Sequence, residues 1–401
     1  MVSKWEIVKL GDICNKIGSG ATPKGGKDSY CSEGISLIRS QNVLDFAFSE
    51  DGLAYINDEQ AEKLNNVEVK SGDVLLNITG DSVARACMVE DNYLPARVNQ
   101  HVAIIRGNAE KVISSYLLYF LQMEKPHLLQ LASAGATRNA LTKGMIEQLE
   151  LVLPSLDEQS RIVALLDDLQ RKIHINNKIN DNLYAQARAI VKQWVVENEG
   201  SYELLPLSEV AEINPDAYSP KEGWEYVNYL DTSSITDGCI GEIQRINPSV
   251  DKLPSRARRK VVPNDVVFST VRPNQRHFGL ISRPLPNMLA STGFAVIRSR
   301  NPAVCNELIY LCLTENAFIE KMQQLAEQST STFPSIKPSD LGTCEIPCPK
   351  KIDSSDLTET LKAMFTLIAT NQHENHVLAE LRDTLLPQLM SGEIDVSSID
   401  Y

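Results

Sequence analysis

Ile162-Val-Ala-Leu-Leu166-Asp-Asp-Leu169-Gln-Arg-Lys-Ile173-His-Ile-Asn176-Asn-Lys-Ile-Asn180-Asp-Asn-Leu183-Tyr-Ala-Gln-Ala187-Arg-Ala-Ile190-Val-Lys-Gln-Trp194 steps through the chain by alternating fours and threes. A 3.5-residue period held this long is the pattern of a coiled-coil seam. Adding 195 to each seam position returns the same frame: Leu357, Leu361, Met364, Ile368, Asn371, Asn375, Leu378, Arg382, Leu385 and Leu389. Even the two central asparagines recur (176 + 195 = 371; 180 + 195 = 375). Two matching struts in one chain imply a pseudo-symmetric object.

The repetition extends upstream. Gly72-Asp-Val-Leu-Leu76 answers Asn264-Asp-Val-Val-Phe268, Ala103-Ile-Ile-Arg106 answers Ala295-Val-Ile-Arg298, and Tyr116–Leu121 answers Leu308–Leu313, all at an offset of 192. Leu10-Gly-Asp-Ile13 answers Leu207-Ser-Glu-Val210 at 197, so small insertions separate the repeated elements. β-branched runs near 74–78, 102–105, 261–268 and 294–297 read as strands, and 112–131 and 306–327 as helices. The expected fold is α/β (α+β): two similar mixed globules, 1–154 and 201–352, each followed by a long helix, 155–200 and 353–401. Ser155-Leu-Asp-Glu158 fits a capping box opening the first helix, and the second ends near Pro387 or Gly392.

Roughly 40 residues at ~1.5 Å each give a strut of about 60 Å, which needs a partner. Antiparallel pairing about residue 178 sets Asn176 opposite Asn375 and Asn180 opposite Asn371, pairs that fix register. Arg382, where the first strut has Ala187, departs from the pattern and suggests a contact with another subunit.

At 401 residues and 43% apolar content the chain holds two or three domains with real cores. No run of 18 apolar residues and no signal-peptide stretch is present, so a soluble, cytoplasmic protein is expected. The eight cysteines form no CxxC pair, which favours buried, reduced thiols over metal ligands. The net charge is −13, yet Lys252–Arg300 carries ten basic residues against Asp265 alone; that segment is +9 and the remainder −22. Phosphates respond to such a local field whatever the total.

Catalytic motifs fail on inspection. Gly18-Ser-Gly20 with Gly25-Gly-Lys27 would need glycine at 21 and a hydroxyl at 28 to hold a nucleotide, and has Ala21 and Asp28. Glu68-Val-Lys70 lacks the Pro-Asp of a nuclease metal site, and the six histidines form neither a triad nor HExxH spacing. No Rossmann glycine fingerprint and no Asn/Asp-Pro-Pro-Tyr tetrapeptide for amino-methyl transfer occurs. No metal site and no catalytic residue is assigned.

The stretch Gly135-Ala-Thr-Arg-Asn-Ala-Leu-Thr-Lys-Gly-Met-Ile-Glu-Gln-Leu-Glu-Leu-Val-Leu-Pro154-Ser-Leu-Asp-Glu-Gln-Ser-Arg-Ile162 resembles the junction between a target-recognition domain and its spacer helix in the specificity subunits of type I restriction-modification systems. Asn99-Gln-His-Val-Ala103 and Leu385-Leu-Pro-Gln-Leu-Met-Ser-Gly-Glu-Ile394 are further stretches typical of that family. The second half departs from the pattern at Ser291-Thr-Gly-Phe-Ala295 and Pro347-Cys-Pro-Lys350.

The resemblance implies a non-catalytic DNA reader. Each domain would read one half of a bipartite, asymmetric target, with the helices as a ruler. Two methyltransferase subunits would dock and bring S-adenosylmethionine, and restriction subunits would bring ATP and magnesium chemistry; the chain itself would hold no cofactor. The candidate DNA contacts are Arg39, Gln41, Asn42, Thr79, Arg85, Arg97, Asn99, Gln100, Thr137 and Arg138 in the first domain. In the second they are Arg256, Arg258, Arg259, Arg272, Asn274, Gln275, Arg276 and Ser291. Arginine suits guanine and Asn or Gln suits adenine. The competing readings are a coiled-coil scaffold joining two protein-binding domains without DNA, and a stand-alone methyltransferase or nuclease.

Overall fold

A computed structural model describes residues 5–133, 139–329, 333–350 and 355–397. The chain divides into two compact units that are not sequential: Met1–His174 with Asn375–Tyr401, and Ile175–Glu374. Each unit thus holds one globule together with part of each long helix.

In the first unit an antiparallel sheet runs in the order Cys14–Ser19, Val102–Gly107, Val74–Asn77, Ala86–Met88. A mixed sheet runs Ala54–Ile56, Ile35–Ile38, Ala96–Val98, Glu68–Val69, its two central strands parallel. The second unit repeats both sheets strand for strand: Ala211–Ile213, Phe294–Ser299, Asp265–Ser269, Phe278–Ile281; and Gln244–Ile246, Val227–Leu230, Met288–Ser291, Ala257–Lys260. Register repeats too, since Val74 faces Ile105 and Val266 faces Ile297, each partner shifted by 192.

These runs read as continuously apolar because the antiparallel sheet is covered on both faces. Val74, Leu76 and Ile105 pack against helices, including Ile162 and Leu166 of the first long helix. The intervening Leu75 and Ile104 pack against the mixed sheet.

A buried polar knot also recurs. Asp73 receives Arg106 Nε at 2.7 Å and the Lys70 amide at 2.7 Å; Asp265 receives Arg298 Nε at 2.8 Å and the Val262 amide at 2.8 Å. Both aspartates are buried, so the arginine and the amide together supply what water would otherwise give.

The expected helices 112–131 and 306–327 are each two helices. Ser114–Met123 stops before Lys125–Ser133, because Pro126 has no amide proton to donate to the carbonyl four residues back and is tolerated only in a first helical turn. Asn306–Leu313 stops before Asn316–Glu327, where Thr314 Oγ1 donates to the Tyr310 carbonyl at 2.7 Å.

The long helices span Leu156–Glu197, 42 residues, and Ser355–Met390, 36 residues. The capping box is present: Ser155 N–H donates to Glu158 Oε2 at 3.0 Å, and Glu158 N–H to Ser155 Oγ at 3.3 Å. The second helix carries Pro387 inside its last turns, and Gly392, at φ 75°, follows its end.

Within the second unit the helices are antiparallel in the expected register, with Asn371 Nδ2 donating to Asn180 Oδ1 at 2.9 Å. Asn176 donates to Glu374 at 2.8 Å, one residue before its expected partner Asn375. Within the first unit Arg382 Nη1 reaches Gln170 Oε1 at 2.8 Å, keeping the register to one residue (180 + 371 = 551; 170 + 382 = 552). Arg382 is therefore a buried internal residue, not the exposed contact for another subunit that the seam pattern suggested.

Replacing Asn371 alone by leucine strands the buried Asn180 amide and is expected to cost about 1–3 kcal/mol. The double change to leucine at 180 and 371 is expected to recover most of that loss. Urea unfolding of the parent and the two variants checks this; a neutral single change would show that the pair does not fix the register.

Candidate nucleic-acid interface

In each unit three loops converge at one end of the sheets. In the first, the Ile78 amide donates to the His101 carbonyl at 3.0 Å, the Leu141 amide to Ile78 at 2.8 Å, and the Gly80 amide to Asn139 at 3.3 Å. In the second, Thr270 donates to Gly293 at 2.8 Å, Ile336 to Thr270 at 2.9 Å, and Arg272 to Pro334 at 2.9 Å. The cluster is duplicated bond for bond (78 + 192 = 270; 101 + 192 = 293; 80 + 192 = 272).

Backbone conformation is duplicated as well. Gly80 and Ala84 are left-handed at φ 77° and 68°, and so are Arg272 and Arg276 at 47° and 57°. A non-glycine residue there costs about 1–2 kcal/mol, so the loop shape is imposed by its surroundings and not by its own sequence. On this common frame the first unit displays Thr79-Gly-Asp-Ser-Val-Ala-Arg85 and the second Val271-Arg-Pro-Asn-Gln-Arg-His277.

Ser40, Gln41, Thr79, Gly80, Asp81, Ser82, Arg85 and His101 line one concavity. Thr79 Oγ1 lies 2.7 Å from His101 Nδ1, and Gln100 Nε2 lies 3.1 Å from His101 Nε2. His101 thus has a polar neighbour at each ring nitrogen. Of the expected contacts, Gln41, Thr79 and Arg85 therefore meet in one place, with Gln100 on its edge. His101 was missed because it fits no catalytic spacing; the 192 offset pairing it with Gly293 was the available signal.

Other expected contacts are committed to the fold. Asn42 is fully buried, accepts the Arg39 amide at 3.0 Å and donates to Ser49 and Asp51 carbonyls at 2.9 and 3.2 Å. Arg97 is buried and gives its guanidinium to the Ala61 and Ala96 carbonyls and Asn65 Oδ1 at 3.1, 3.0 and 2.6 Å. Asn99 and Ser291 are buried equivalents doing one job, each accepting the amide two residues on, from His101 at 3.1 Å and Gly293 at 3.3 Å. They shape the loop and do not present a contact surface. Arg39 donates to the Gly52 carbonyl and stacks 5.6 Å from Tyr30. Thr137 and Arg138 lie outside the described residues.

The basic segment is also partly spent. Lys260 pairs with Glu222 at 2.6 Å, Arg298 with Asp265 and Asp216, Arg276 with Asp237, and Arg300 donates to the Ser208 and Glu209 carbonyls. Arg256, Arg258, Arg259 and Arg272 have no carboxylate partner among the described residues. Arg259 Nε is buried without a hydrogen-bond partner, and burial holds its guanidinium below the ordinary value. Arg272 lies 4.8 Å over the Phe333 ring, and Asn274 and Gln275 are exposed beside it. The Thr292 amide donates to the Arg256 carbonyl at 2.8 Å, tying the basic strand to this loop cluster.

Residues 2–185 match the family model described as the type I restriction modification DNA specificity domain. The type I restriction enzyme HindI specificity subunit of Haemophilus influenzae is 22% identical, covering 98% of this chain and 100% of its own. The MjaIX specificity subunit of Methanocaldococcus jannaschii is likewise 22% identical, over 98% of this chain and 94% of its own. The chain is similar over nearly its whole length to type I restriction-modification specificity subunits, and the family model itself spans its first 185 residues. The crystal structure of a type I restriction-modification S subunit from M. genitalium shares the fold at a TM-score of 0.52 and 13% identity, over 96% of each chain.

The chain has two similar loop clusters with unlike side chains. Among the described residues no set of three His, Cys, Asp or Glu converges as a metal site, and no helix is long and apolar enough to cross a membrane. Burial pushes the Cys14, Cys87, Cys305 and Cys344 thiols up to about 12, far from the range of a thiolate nucleophile. Cys239 is exposed, against the expectation that the thiols are buried.

Arg272→Ala is expected to weaken binding by ~1–3 kcal/mol at one half-site only. Arg276→Ala, which releases Asp237, is expected to lower affinity for every sequence alike. Competition binding with duplexes scrambled in one half at a time distinguishes them; equal effects of Arg272→Ala on all sequences would move that residue to the phosphates.

Proposed function

We propose that the chain is the non-catalytic DNA-recognition subunit of a type I restriction-modification complex acting in the cytoplasm. Each loop cluster reads one half of a bipartite, asymmetric target. The carrying observation is the duplicated loop, 79–85 and 271–277, with one backbone and two side-chain sets. A shared frame supports engagement of a groove in the same way by both halves, while different side chains support two different half-sites.

The helices, about 63 and 54 Å at ~1.5 Å per residue, set the spacing between the half-sites. That span accommodates half-sites about one turn of duplex apart, ~34–36 Å. Two methyltransferase subunits dock on the repeated scaffold and supply S-adenosylmethionine, and ATP-dependent restriction subunits supply ATP and magnesium chemistry. Arg259, carrying charge into a half-buried site without a carboxylate, is suited to a phosphate oxygen.

Co-expression with the cognate methyltransferase subunit, followed by mapping of modified adenines across a host genome, is expected to return one split motif with unlike halves and a fixed spacer. A continuous motif, or two identical halves, would refute the reading.

A further inference from the structure

The first loop cluster is mechanically joined to its helices through one strained aromatic residue. Phe46 sits four residues after the reading turn Ser40–Asn42 and is left-handed at φ 60°. Its amide donates to the Ala86 carbonyl at 3.0 Å, immediately beyond Arg85 of the duplicated loop. Asn77 Nδ2 donates to the Ser40 and Val43 carbonyls at 2.8 and 3.2 Å, tying the turn to the strand that launches the same loop. On its other side the Phe46 ring lies 4.1 Å from the guanidinium carbon of Arg382, on the second long helix.

Arg382 is itself held, donating to Gln170 on the first long helix and to Asp383. Tyr119 lies 5.7 Å from Phe46 and donates to Asp167, also on the first helix, at 2.8 Å. Burial raises the Asp167 carboxyl, as expected for a joint shielded from water. Both helices therefore grip the segment that carries the reading turn, and they grip it at one ring.

The second unit builds the equivalent joint from different parts. Gly238 occupies the Phe46 position (46 + 192 = 238), also left-handed at φ 78°, and Ala187 occupies the Arg382 position (187 + 195 = 382). A side chain at Gly238 would meet Tyr310 Oη at 2.9 Å and Tyr184 Oη at 3.3 Å, so tyrosines fill the space there. The large-and-charged pair of one half is thus small-and-small in the other.

We infer that Arg382 and Phe46 are positioning residues: their cation–π contact fixes the angle at which the first reading face stands on the helices, and hence the number of base pairs between the half-sites. The inference rests on the proposed reading of a split target. A buried cation–π contact holds enough energy to suppress misplacement about tenfold.

The test uses the full chain co-expressed with its methyltransferase subunit, comparing methylation maps for the parent, Arg382→Ala and Phe46→Gly. The glycine relieves the left-handed strain while deleting the ring, which offsets part of the stability loss. If the parent gives no split motif, the proposed function fails. If it does, both variants are expected to keep the same half-site sequences while methylation at sites with one base pair more or less of spacer rises roughly tenfold relative to the parent spacing. Unchanged spacer distributions, or methylation lost in parallel at every spacer, would overturn the positioning role.

Discussion

Each reading loop is launched from a strand whose start is pinned by a buried aspartate, held by an arginine and by a backbone amide three residues upstream. Asp73 with Arg106 and Lys70, and Asp265 with Arg298 and Val262, are the two copies. Removing either arginine would leave a buried carboxylate uncompensated, which is costly in a low-dielectric interior. Because the launch point is fixed, the loop beyond it can change side chains without changing course. Arg272 and Arg276 occupying the left-handed positions of Gly80 and Ala84 show how strongly that course is imposed.

Much of the architecture was legible in the chain because it is written twice. The 3.5-residue seam gave both long helices, the 195 offset gave their register, and Asn180 meeting Asn371 is what that arithmetic requires. Capping by Ser155 and Glu158 was equally readable, since it depends on residues three apart. The non-sequential composition of the units goes beyond the sequential domains expected, although the antiparallel pairing that produces it was itself readable from the seam.

The contact residues were less legible, for a physical reason. A polar side chain near a strand end has two employments, holding the loop or facing a ligand, and sequence shows only its chemistry. Asn42, Arg97, Asn99 and Ser291 turned out to satisfy backbone groups. Arg85, Arg256 and Arg258 have no such partner among the described residues. Likewise the +9 of Lys252–Arg300 overstates its field, because Asp216, Asp237 and Glu222 neutralise it from outside the segment. Arg382 looked like a surface feature because a charge in a seam breaks the pattern; Phe46, more than 300 residues away in the chain, is what receives it.

The core of the first unit includes Leu386, Leu389, Met390 and Val396, more than 200 residues beyond the helix start that they cover. During translation, the half made earliest is consequently the half that closes last. Until residues 386–396 have been made, Ile162 and Leu166 have only part of their cover, and a chain lacking them shows proteases and chaperones an apolar strip. Loss of residues 386–396 would uncover the core of the globule made first.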